Sequence, residues 1–152
     1  MRCFPSIGIK TLAMALALGV GACKSSVTAP VSELAAARAR WSSVAPPAYS
    51  VVITRSCECL QAAVGPVLVT VRNGVAQSRQ YTQTGAPVTV TMSERFPTVE
   101  GLFAVIDAAI RDGVQPMQVT YDPTLGYPTR VYLGDTSADG GAVYFASDVH
   151  AQ

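Results

Sequence analysis

The chain has 152 residues, 49% of them hydrophobic and 14% charged, with 12 Gly and 10 Pro. That is room for one domain, and too apolar a mixture for a chain disordered throughout. A formal net charge of +1 without any Lys/Arg run excludes an electrostatic footprint for nucleic acid, and a single His excludes a multi-histidine metal site.

Residues 1–22 read as a secretory signal. Arg2 and Lys10 make a positive start, residues 11–20 are uncharged and mostly apolar, and Gly21 and Ala22 are small. The apolar run is about half the ~20 residues needed to span a bilayer. The tetrad Val20-Gly21-Ala22-Cys23 resembles the bacterial lipobox, which implies that Cys23 becomes the new, lipidated N-terminus. A thiol is nucleophilic enough to be alkylated by a lipid donor, and each acyl CH2 buried in the membrane contributes ~0.8 kcal/mol. Cleavage there leaves 152 − 22 = 130 residues and 9 basic against 10 acidic side chains. Attachment to the membrane then rests on lipid and not on a basic patch. Resemblance to the sorted lipoproteins of two-membrane bacteria implies that Lys24, in place of Asp, leaves the inner-membrane retention signal absent. The expected location is the bacterial cell envelope, at the outer membrane facing the periplasm if the source has two membranes.

Residues 23–32 are expected to be a flexible tether rich in Ser, Thr and Pro, followed by a single α+β domain over 33–150. Ser32 is placed to cap a helix over 33–41, with Leu34, Ala37 and Trp41 on one face. Pro46-Pro47 then forces an extended break. Residues 49–55 and 67–72 alternate as strands, and Asn73-Gly74 predicts a hairpin into a third strand over 75–81. Residues 88–92 are expected as a short edge strand. Thr98 caps a second helix in which Val99, Leu102, Phe103, Ile106 and Ile110 form one apolar stripe, stopped near Gly113. Strands follow over 117–121, 129–133 and 143–149, with a turn over 135–141. The expected fold is α+β: an antiparallel sheet with two helices packed on one face, in an αβββ order that occurs twice. Leu102, Phe103 and Ile106 should pack on the sheet face that carries Val67, Val69 and Val71 or Met117, Val119 and Tyr121.

Several features together resemble a known family. They are Trp41 at a helix end, Pro46 and Tyr49 leading into a strand, Cys57-Glu58-Cys59, Asn73-Gly74, Pro97-Thr98 opening a helix with Leu102-Phe103, and the run Tyr121-Asp122-Pro123 to Gly126-Tyr127-Pro128. They are similar to the uncharacterised bacterial lipoprotein family labelled domain of unknown function 6174. The likeness covers about residues 41–149. It implies an envelope location and a fold type, and no mechanism.

Cys57 and Cys59 project from the same side of a strand, and they are the only thiols left in the mature chain once Cys23 carries lipid. An exported compartment permits a disulfide between them. Their readings are a local staple, a thiol-exchange pair, a soft-metal site such as two thiolates offer copper(I), or two free thiols. Tyr121, Asp122, Pro123, Gly126, Tyr127 and Pro128 either line a pocket or serve only as turn chemistry. Asp135 and Asp139 lack the spacing and the closing Glu of a calcium loop. No nucleophile elbow, zinc-protease motif or phosphate loop occurs, and His150 stands at the frayed end of the chain. The sequence therefore favours a non-enzymatic, lipid-anchored module that binds or scaffolds an envelope protein, with no cofactor and no nucleic-acid partner. The alternative is a thiol-disulfide or soft-metal factor centred on Cys57 and Cys59.

Overall fold

The computed structural model describes residues 28–57, 59–134 and 142–152. Cys23, Glu58 and the 135–141 turn with Asp135 and Asp139 lie outside the described residues. The elements run α1 (Thr28–Val44), β1 (Ala48–Ser56), a 3₁₀ turn (Gln61–Ala63), β2 (Val67–Arg72), β3 (Val75–Tyr81), α2 (Val90–Ser93), α3 (Val99–Arg111), β4 (Met117–Tyr121), β5 (Pro128–Leu133) and β6 (Ala142–Ala151). The fold is α+β, with a six-stranded sheet in the order β3-β2-β1-β6-β5-β4 and every neighbouring pair antiparallel. Helix followed by three strands does occur twice along the chain. In the sheet, however, β1 is central and β4 is an edge, so the leading strands of the two halves take different places.

The structure corrects several expectations. His150 is not at a frayed end, because it pairs with Ser50 within β6, and Cys57 and Cys59 lie past the end of β1 and not on a strand. A tether reaching Ser32 is too long, because α1 starts at Thr28 and takes Pro30 into its first turn, where a missing N–H costs nothing. Ser32 is therefore inside the helix and not its cap. In place of an edge strand over 88–92 there is an isolated bridge, Gln80 to Pro87, followed by the helical turn α2. Pairing stops after one bridge because the chain bends into α2 from Val90.

Alternation decides the inner face. Tyr49, Val51 and Ile53 of β1, Val67, Val69 and Val71 of β2, Val131 of β5 and Ala146 of β6 are all buried on it. Register places Ile53 between Val67 and Ala146, which makes one continuous apolar surface. Leu34, Ala37 and Trp41 of α1 and Val99, Leu102, Phe103 and Ile106 of α3 join the same core. Thr98 caps α3 by accepting from the Gly101 N–H at 3.1 Å, as its position before the apolar stripe predicts. Phe103 is 2% exposed and stacks on Tyr121 of β4, with ring centroids 6.4 Å apart. Phe103→Ala is expected to destabilise the protein by ~3–5 kcal/mol, the usual cost of deleting a buried aromatic ring. A urea midpoint equal to that of the wild type would show that this packing contributes nothing.

Candidate functional site

A single carboxylate joins three elements. Glu100, in the first turn of α3, accepts from Trp41 Nε1 of α1 at 3.1 Å and from the Tyr49 hydroxyl of β1 at 2.6 Å. The Tyr49 oxygen in turn accepts from the Val99 N–H at 3.1 Å, so it satisfies one of the orphan donors of the helix N-terminus. Burial, reinforced by the Glu100 carboxylate, pushes the Tyr49 phenol far above its ordinary range. Trp41 also sets its ring edge-on to Tyr49 and to Tyr127. This cluster uses its polar atoms on one another, and its role is structural.

The Tyr121–Pro128 run acts mainly as a turn. Asp122 Oδ1 accepts from the N–H groups of Thr124 and Leu125 at 2.9 and 2.6 Å, and the Gly126 N–H donates to the Asp122 carbonyl. Pro123 is exposed at the tip, whereas Tyr127 and Pro128 are buried. Gly126 has φ +82°, and a Cβ there would meet the Ala37 carbonyl oxygen of α1 at 2.6 Å. The glycine thus lets the hairpin press against the helix. Tyr121 lines a pocket of about 60 Å³ shared with Pro30, Glu33, Ile106, Met117 and Val119. Burial, and secondarily the Glu33 carboxylate, pushes its phenol up to about 12.

Cys57 and Cys59 form a disulfide just past the end of β1. Next to it, Arg55 is buried on the inner face, with its guanidinium 5.2 Å from the Tyr144 ring centroid and donating to the Ala63 carbonyl at 3.1 Å. Among the described residues no three His, Cys, Asp or Glu side chains gather as metal ligands.

Motif reading misses the other face of the sheet. Both helices pack on the inner face, so Val52, Leu68, Tyr132, Val143 and Phe145 turn outward. Register sets Val52 beside Leu68, Tyr132 beside Val143, and Phe145 between Thr54 and Arg130. Phe145 is 40% exposed and the others are half-buried by their neighbours alone. Arg130 lies over Tyr132, 5.8 Å from its ring centroid, at one border of this apolar band. The sequence does carry the signal: Val51-Val52-Ile53 and Val67-Leu68-Val69 are apolar at both parities, so one member of each run must face away from the core.

The model of the family of unknown function DUF6174 matches residues 33–151. The chain belongs to that family. No curated protein and no solved structure matches it.

In this DUF6174 domain burial raises the phenols of Tyr49, Tyr121 and Tyr127, which ties them to the expected alkaline stability. A tyrosine whose folded pKa is raised contributes stability that is complete below its unfolded value and is lost as pH rises through the folded value. Stability is therefore expected to hold up to about pH 10 and to fall as pH rises through about 12, where Tyr121 ionises. Phenolate absorbance followed together with circular dichroism tests this, and full phenolate formation near pH 10 with the fold intact contradicts it. The disulfide closes a very short loop, so Cys57→Ser/Cys59→Ser should cost only about 1–2 kcal/mol by chain entropy. Denaturant titration measures that cost, and complete loss of folding would refute it.

Proposed function

We propose that this protein is a non-enzymatic module of the bacterial cell envelope, anchored through lipid on Cys23, that binds an envelope protein through the uncovered face of its sheet. The observation that carries the reading is the outward apolar band of Val52, Leu68, Tyr132, Val143 and Phe145 on a sheet whose other face is covered by both helices. Antiparallel sheets often leave one face to water, and such a face usually reads polar. Here aromatic and branched side chains cluster on it instead, with one cation at the border, which is the composition of a protein-binding patch.

Anchorage rests on the lipobox-like tetrad and on the short stretch between Cys23 and the start of α1 at Thr28. No helix among the described residues is long and apolar enough to cross a membrane, so attachment through a helix would need other residues. Lys24 following Cys23 supports an outer-membrane destination in a two-membrane source.

The test places a photo-crosslinking residue at Phe145 in the full chain in its own envelope. One defined partner should be captured, and Leu68→Asp, on the same face but outside the core, should reduce capture at least about tenfold, as for a patch residue near a binding centre. Capture unchanged by Leu68→Asp would refute the binding face. In parallel, Cys23→Ser should abolish incorporation of labelled fatty acid and release the protein from membranes. A wild-type chain that takes up no label would refute the anchor and leave the binding face standing.

A further inference from the structure

The two edges of the sheet are treated differently. At β3 the chain closes its own edge: Tyr81 N–H donates to Ala86 O at 2.9 Å, Val88 N–H donates to Arg79 O at 2.9 Å, and Pro87 bridges to Gln80. At β4 no described residue does this. Pro116 O accepts from Gly134 N–H, and Asp122 N–H donates to Tyr127 O, so even-numbered residues turn their backbone groups toward β5. The bulge beside them puts its extra residue, Thr129, on β5, so β4 keeps regular alternation. Met117, Val119 and Tyr121 therefore present their N–H and C=O groups at the open edge.

Open edges are normally blocked by Lys, by Pro, by a bulge or by a covering segment. The five residues of β4, MQVTY, contain neither a charge nor a proline. Its inner-face side chains also border free space. Met117 lies on a groove of about 580 Å³ together with Ile110 and Val114. Val119 and Tyr121 line the smaller pocket beside it.

We propose that β4 pairs with β4 of a second copy of this chain, antiparallel about a two-fold axis at Val119, to make a continuous twelve-stranded sheet (two sheets of six). The strand is complementary to itself in this register. Val119 faces Val119, and Met117 faces Tyr121 in both directions, so every outward N–H meets an outward C=O. No like charges meet, because the strand carries none. An axis perpendicular to the sheet keeps both helical layers on one side, and the inner-face side chains of the second β4 enter the space beside the first, which Ile106 and Ile110 line and Glu33 of α1 borders. A foreign strand could satisfy the same backbone groups, but nothing else among the described residues specifies one. The edge is a different surface from the open face, and the inference stands without the lipid anchor.

The same register puts Gln118 opposite Thr120 of the other copy, on the solvent side of the sheet. The mature chain, extracted from its envelope in detergent, should have twice the monomer mass. A photo-crosslinking residue at Gln118 should capture the peptide containing Thr120 of an isotopically distinct copy. Gln118→Lys/Thr120→Lys sets two like-charge pairs across the axis and should weaken dimerisation about tenfold. Gln118→Lys/Thr120→Glu sets opposite charges there and should restore it. Both variants change only outer, exposed positions, and circular dichroism checks that each is folded. A monomeric wild type, equal behaviour of the two variants, or a Gln118 crosslinker that never captures the Thr120 peptide of a second copy would each overturn the proposal; capture of the protein bound at the open face does not bear on it, because Gln118 lies beside Tyr132.

Discussion

The Glu100 carboxylate is the constraint on which the arrangement of the layers depends. It accepts from Trp41 of α1 and from Tyr49 of β1 while it sits in the first turn of α3. Hydrophobic contact alone would hold two helices against a sheet at many angles, since burial is non-directional. Two charge-assisted hydrogen bonds to one carboxylate select a single arrangement. An anion at the start of α3 also suits the helix dipole, and the Tyr49 oxygen takes up the Val99 N–H. The Gly126 turn then leans on α1 close to Trp41, so the β4–β5 hairpin is held by the same corner of the molecule.

With both helices fixed on one face, the other face and the far edge have no cover among the described residues. That asymmetry is the physical source of both functional proposals. The outward band of Val52, Leu68 and Phe145 exists because strands apolar at both parities must expose one of them when only one face is covered. The free edge at β4 exists because the extended segment that covers an edge, Ala86 to Val88, is already used at β3.

Arg55 shows the same economy within the core. It is buried, stacks on Tyr144 and reaches the Ala63 carbonyl, and its Nε meets no acceptor among the described residues. A guanidinium is more weakly hydrated than an ammonium and keeps part of its stabilisation from an aromatic face, so it tolerates this position better than Lys would. Its neighbours in the chain are the disulfide Cys57–Cys59 and the 3₁₀ turn, which together close the far end of β1.

Local chemistry makes much of the fold legible in the sequence. Asn73-Gly74 marks the β2–β3 turn because both positions accept positive φ, and both adopt it. The stripe from Val99 to Ile110 marks α3 because apolar residues three and four apart share a face only in a helix, and Thr98 marks its start through its own side chain. The start of α1 is hidden in the sequence because Ser, Thr and Pro suit a tether and a first helical turn equally well. Residues 88–92 mislead because β-branched residues suggest a strand, whereas the chain leaves β3 after Val88 and turns into α2. By itself, then, the sequence determined most of the elements and the α+β class, because these follow from neighbours a few residues apart. Tertiary structure alone decided that β1 and β6 pair at the centre, that Glu100 meets Trp41 and Tyr49, and that one face and one edge stay open. Those contacts join residues 50 or more positions apart, and no local pattern encodes which of several compatible partners a strand or a carboxylate will find.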